Sequence, residues 1–109
     1  MKVKEFAEAL GLTAATGAVG MDREVSGCYI GDLLSWVMSK ASKGDAWITI
    51  MSNINIVAVC SLTEAACVIL CEGVTADEVS VQKAAEQEIP ILLSDKTAYE
   101  LALEVGKVL

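Results

Sequence analysis

The side chains able to do chemistry are few, and one absence narrows them further. The 109 residues include four cysteines and no histidine. Without imidazole the chain lacks the usual general base, an imidazole metal ligand, and any Ser-His or Cys-His nucleophile pair. Carboxylates or a lysine could substitute, but no paired arrangement stands out. There is no G-x-x-x-x-G-K-[ST] loop and no G-x-G-x-x-G turn; Gly106-Lys107 falls in a helical stripe without the other parts of a phosphate loop. An enzyme with its own catalytic machinery is not expected, and neither is a cofactor. Cys67 and Cys71 stand in "ACVILC". On a strand, residues four apart share a face, so both thiols would enter one layer of a core, where free cysteine behaves as a small apolar residue. A Cys-x3-Cys spacing inside an apolar run is not that of a zinc knuckle. Together with Cys28 and Cys60 these thiols leave one alternative open, a cysteine-dependent redox or iron–sulfur accessory protein.

The other candidates are polar groups at the ends of apolar runs. In "ITIMSNINIVAVC", Ile48 to Cys60, the residues Ser52, Asn53 and Asn55 interrupt an apolar stretch. A single strand across that stretch would be far too long, so these residues are expected in a strand-to-helix turn. Two similar places follow, Glu72-Gly73 and Ser94 to Thr97. Hydrogen bonds from Ser52, Asn53 and Asn55, a charge from Glu72 that suits an amine or cation, and contacts from Asp95 and Thr97 could hold a small ligand. Helix capping could equally employ the same side chains.

These turns need elements to hold them. Val3, Phe6, Ala7 and Leu10 mark an amphipathic helix stopped by Gly11. A short strand is expected near Leu12 to Ala15, and a mixed strand from Glu24 to Ile30. Asp32 is placed to cap a helix from Leu33 to Ala41, with Leu33, Leu34, Val37, Met38 and Ala41 on its buried side. Trp36 lies off that stripe, either against a partner subunit or in the core. "AWITIM" reads as a strand, followed by a helix from Ile54 to Ala65, then "ACVILCEG" as a second buried strand. Thr75 with Glu78 forms a capping-box pattern before a helix presenting Val81, Ala84, Ala85 and Val79. "IPILLS" is a third strand. Ala98, Leu101, Ala102, Val105, Val108 and Leu109 form a last helical stripe. Continuous apolar strands alternating with helices predict an α/β fold: a small, mostly parallel sheet sandwiched by helices, a βαβαβα core with an N-terminal helix and extra strands. Ligands in such sheets gather beyond the carboxyl ends of the strands, where the three polar turns converge.

Composition bounds the partners. Apolar residues make up 54% of a chain short enough to form one domain, and the excess apolar surface suggests a homodimer. Fifteen acidic against eight basic residues give a net charge of −7, which disfavours nucleic acid and anionic membrane surfaces. The uncharged stretch Ala46 to Thr63 is broken by amides that lipid would leave unpaired, so no membrane span is expected. "MKVKEFAEALG" has no export core, and a cytoplasmic protein is expected.

The order of motifs resembles that of DRTGG domains over essentially the whole chain. The family opens with a helix and L-G-L, continues through T-x-G-D-R-x-D-I and an apolar strand ending in T-G-G, and closes on I-P-[VIL]-L and D-x-T. The corresponding stretches are "ALGL" at Ala9 to Leu12, "TIMSNINI" at Thr49 to Ile56, "LCEG" at Leu70 to Gly73, and "IPILLSDKT" at Ile89 to Thr97. The name-giving residues differ: Ser52-Asn53 stand where the family has Asp-Arg, and Cys71-Glu72-Gly73 where it has Thr-Gly-Gly. Asp22-Arg23 lies too early to be that pair. The resemblance implies a single domain over residues 1–109. It also implies a non-catalytic regulatory or sensing module of the kind often fused to phosphotransacetylase or CBS domains, similar to the N-terminal domain of HPr kinase. Losing the arginine removes a phosphate clamp, and Glu72 adds negative charge. The expected function is therefore a regulatory, ligand-sensing or interaction domain, a homodimer taking a small ligand or protein partner at Ser52, Asn53, Asn55, Glu72, Gly73, Asp95 and Thr97.

Overall fold

The computed structural model describes all of residues 1–109. Helix α1 (Val3–Leu10) leads to strand β1 (Thr13–Ala14) and, after a long connection, to β2 (Gly27–Ile30). Then α2 (Leu34–Lys40), β3 (Asp45–Thr49), α3 (Asn55–Thr63), β4 (Cys67–Leu70), α4 (Glu78–Glu86), β5 (Ile91–Leu93) and α5 (Ala98–Val108) alternate. The sheet order is β1-β5-β4-β3-β2. β2 to β5 run parallel, and only β1 is antiparallel, pairing Thr13 with Leu93. This is the expected α/β sandwich.

The apolar runs are continuous because both faces of the sheet are covered. Ile48, Ile69 and Leu92 face one core with Val3, Phe6, Leu10, Leu101 and Val105 of α1 and α5. Their neighbours Trp47, Val68 and Ile91 face the other with Val37, Ile56, Val59, Cys60 and Ala84 of α2, α3 and α4. Successive strand residues point to opposite sides, so each strand needs an apolar residue at every position. Each fully buried large side chain contributes about 1.5–3 kcal/mol.

Several local expectations are corrected. The strand expected over Glu24 to Ile30 begins only at Gly27. Asp32 does not cap α2; the N-cap is Leu33, without a side-chain bond. The Asp32 carboxylate instead accepts from Thr49 Oγ1 at 2.7 Å and from Ile50 N–H at 3.0 Å. Of the expected buried side of α2 only Val37 is fully covered, while Leu33 and Met38 are 61% and 49% exposed. Lying at the edge of its layer, α2 packs against a single helix, α3. Thr75 and Glu78 form no capping box, because α4 starts later, with Asp77 Oδ1 accepting from Ser80 N–H at 2.7 Å. Val79 and Leu109 lie exposed rather than on the buried stripes. No helix is long and apolar enough to cross a membrane.

Candidate functional site

The carboxyl ends of four parallel strands share one rim, which divides into two halves of different chemistry. In the β4–β5 half, Glu72 N–H donates to Lys96 O at 2.8 Å and Gly73 N–H to Ser94 O at 3.0 Å. These bonds lash together the turns that follow the two strands. Beside them opens a cleft of about 400 Å³ lined by Gly73, Val74, Thr75, Ser94, Asp95 and Lys96, and closed by Leu10, Gly11, Thr13 and Leu93. Antiparallel β1 brings Thr13 to this edge. The Lys96 ammonium is held by both carboxylate oxygens of Glu104, at 2.7 and 2.8 Å, so its charge is already matched. Asp95 is exposed and supplies the cleft's carboxylate.

The backbone here is bent in an unusual way. Glu72 and Gly73 have φ of 57° and 76°, two successive left-handed residues. This is a conformation that glycine adopts freely and other residues at a cost. Gly73 is close enough to the site that an added Cβ would lie 3.4 Å from Asp95 Oδ1. A glutamate thus holds the first of the two left-handed positions and a glycine the second.

The expected site residues do not form one cluster. Gly73 and Asp95 line the cleft. Glu72 borders it through its backbone, with its side chain in solvent. Thr97 is the N-cap of α5, its hydroxyl accepting from Glu100 N–H at 3.2 Å while the Glu100 carboxylate accepts from Thr97 N–H at 3.0 Å. That N–H bond holds the Glu100 carboxyl below its ordinary pKa. Ser52 and Asn53 lie in the turn between β3 and α3 and Asn55 opens α3, all outside the cleft, and Asn53 Oδ1 accepts from Asn55 N–H at 2.9 Å. Asn53 thereby ties off the first N–H of α3. Thr13, Thr75, Ser94 and Lys96 were not among the expected residues. Ser94 and Lys96 share the polar turn with Asp95 and were legible from it. Thr13 lies in the short strand expected near Leu12 to Ala15, and it reaches the cleft because that strand pairs antiparallel with β5.

The thiols sit where ionisation is costly. Burial, with Asp45 adding to it, pushes Cys28 up to about 11. Burial pushes Cys60 up to about 12 against the pull of Arg23. Burial raises Cys67 further, with Cys60 and Cys28 adding, and it raises Cys71 too, with Glu72 next in effect. All four are therefore protonated near neutrality, and a thiol rather than a thiolate is a poor nucleophile and ligand.

No family model and no curated protein matches the chain. Among solved structures it is similar to that of the CBS and DRTGG domains of the regulatory region of Clostridium perfringens pyrophosphatase, complexed with the activator diadenosine tetraphosphate. The TM-score is 0.70 at 14% identity, covering 95% of this chain and 45% of that one. The likeness is one of fold, and this chain spans less than half the length of that structure.

Proposed function

We propose that residues 1–109 form one DRTGG-like regulatory domain, non-catalytic and homodimeric, that senses a small ligand in the β4–β5 cleft. The observation that carries this reading is the cleft itself. It lies at the carboxyl ends of parallel strands, where α/β sheets hold ligands, and its two turns are fixed by backbone bonds. The fold it shares with a regulatory region supports the same reading, as does a sequence without histidine.

The ligand class follows from charge. The neighbouring structure holds a dinucleoside polyphosphate. Here the cleft presents Asp95 and a lysine already neutralised by Glu104, beside the exposed Glu72. A polyphosphate would meet uncompensated carboxylates, so we assign the cleft to a neutral or cationic polar metabolite. A thermal-shift screen tests this with nucleotides, amino acids, polyamines and sugars as probes. At least one neutral or cationic probe should raise Tm by several degrees, and Asp95→Ala should abolish that shift. A shift that survives Asp95→Ala and Gly73→Ala would place the ligand elsewhere. A shift given only by nucleotides would overturn the charge assignment.

A further inference from the structure

The exposed large apolar residues are unevenly distributed. Six of the twelve, Ile30, Leu33, Trp36, Met38, Ile50 and Ile54, each at least 43% exposed, fall between residues 30 and 54. Asp32 gathers several of them at the other half of the rim. Ile50 N–H donates to its carboxylate, Leu33 follows it in the chain, and Ile30 ends β2 just before it. A concentration of apolar surface like this marks a place where another molecule docks.

Charge identifies that molecule. Between Val25 and Thr63 the only ionisable acids and bases carrying charge at neutral pH are Asp32, Lys40, Lys43 and Asp45, two of each sign. The whole net charge of −7 therefore resides on the rest of the chain. Two copies repel one another wherever their acidic surfaces approach, and this segment is where they can meet without that penalty. The segment is also complementary to itself. Trp36 and Lys40 stand four residues apart on α2, which places them on one side, and Asp32 lies just before the helix at its opposite end. With a two-fold axis at Trp36 a second α2 lies antiparallel to the first. Each Asp32 then faces the partner's Lys40, and the two indoles meet at the centre. Both Asp32 hydrogen bonds use Oδ1, so Oδ2 is left for the ammonium. Lys40 Nζ already lies 5.0 Å over the Trp36 ring, which gives the indole a cationic neighbour at the same place. β2 ends the strand order, and Gly27 to Ile30 contain none of the charges with which edge strands usually repel a second chain.

The geometry points to a homodimer made by antiparallel docking of α2 on α2 about an axis at Trp36, with an Asp32–Lys40 pair at each end. This rests on the homodimer reading above and adds the surface to it. Size-exclusion chromatography with light scattering, alongside circular dichroism melts, tests it on the wild type and three variants. The wild type should show twice the 11.5 kDa of one chain. Trp36→Glu should weaken association at least about 30-fold, as loss of a central aromatic anchor does. Lys40→Glu, which leaves carboxylates at both ends, should weaken it about 10-fold and more strongly at low salt. Tyr99→Glu, at a residue 73% exposed on α5, should keep the dimer. A wild type that is monomeric throughout the micromolar range overturns both the surface and the homodimer. A wild-type dimer that persists in folded Trp36→Glu and Lys40→Glu overturns the surface alone.

Discussion

The two halves of the rim occupy equivalent places in the sheet and are built differently. Around β4 and β5 the turns are joined backbone to backbone, Glu72 to Lys96 and Gly73 to Ser94, which leaves the side chains of Asp95 and Thr75 free. Around β2 and β3 one backbone bond, Gly31 N–H to Ile48 O at 3.2 Å, is reinforced by side chains: Asp32 closes onto Thr49 and Ile50, and Trp47 Nε1–H donates to Gly31 O at 2.8 Å. The first half joins its two turns to each other without a side chain and keeps a polar cleft. The second uses its best carboxylate as a bolt and surrounds it with exposed apolar residues. Being at the strand ends of a parallel sheet makes a location available for ligands, and the way neighbouring turns are joined decides whether any side chains remain to use it.

The largest test of that contrast is Asp32→Ala. It removes a charged acceptor from Thr49 Oγ1, on a residue only 1% exposed, and from Ile50 N–H. Hydrogen bonds to charged groups are each worth roughly 1.5–3 kcal/mol, and solvent beside Asp32 offsets part of that. Urea unfolding at fixed protein concentration should show a loss of about 2 kcal/mol. A loss under 0.5 kcal/mol would mean that the bolt is ornamental and the halves are not built differently.

Next comes the capping pair at the start of α5. Thr97→Ala should cost about 1 kcal/mol by removing the acceptor for Glu100 N–H. Because the Glu100 carboxyl is held low by its bond from Thr97 N–H, its contribution is present above the unfolded value near 4.5 and fades as pH falls through the lowered folded value. Helix α5 should therefore weaken on the acid side, and the protein melts should show that loss only below about pH 4.5. Unchanged stability in Thr97→Ala at pH 7 would return this hydroxyl to the pool of ligand groups.

How far the sequence told these halves apart depends on what set each feature. The buried strands were legible, since Ala46 to Ile48, Cys67 to Leu70 and Ile91 to Leu92 need apolar side chains on both faces. The common rim followed from their alternation with helices. Asp32 was not legible as a bolt, because an aspartate before an apolar helix carries the same local pattern whether it caps that helix or reaches Thr49 across the sheet. Thr75 and Asp77 compete for one helix start. The spacing to Glu78 favoured Thr75, and the longer turn around the cleft gave the cap to Asp77. Asn53 and Asn55 read from the sequence as either ligand groups or caps, because capping and ligand binding ask for the same short polar side chains.

A smaller pair of changes probes the left-handed turn beside the cleft. Gly73→Ala should cost about 1 kcal/mol, since φ is 76° there, and should also narrow the cleft toward Asp95. Glu72→Gly should stabilise by about 0.5 kcal/mol, because φ of 57° is strained for glutamate and free for glycine. Opposite signs at adjacent residues would show that the double bend, rather than either side chain, is what the turn requires. If both changes destabilise, the glutamate makes a contribution beyond the backbone.

The smallest stability effects carry the sharpest functional contrast. Asp95→Ala alters an exposed side chain and should move the unfolding free energy by no more than about 0.5 kcal/mol, while Asn53→Ala also removes the acceptor for Asn55 N–H and should cost about 0.5–1 kcal/mol. In the presence of a probe found in the thermal-shift screen they should separate. Asp95 lines the cleft between the backbone-joined turns, so its loss should remove the ligand-induced shift. Asn53 spends its oxygen on Asn55 N–H in the other half of the rim, so its loss should leave the shift whole. Binding by occupancy alone scales the shift with the ratio of ligand to Kd, and a titration converts each shift into an affinity. If Asn53→Ala abolishes the shift while Asp95→Ala preserves it, the ligand lies in the β2–β3 half among the exposed isoleucines. The division of labour along the rim would then be the reverse of the one its hydrogen bonds describe.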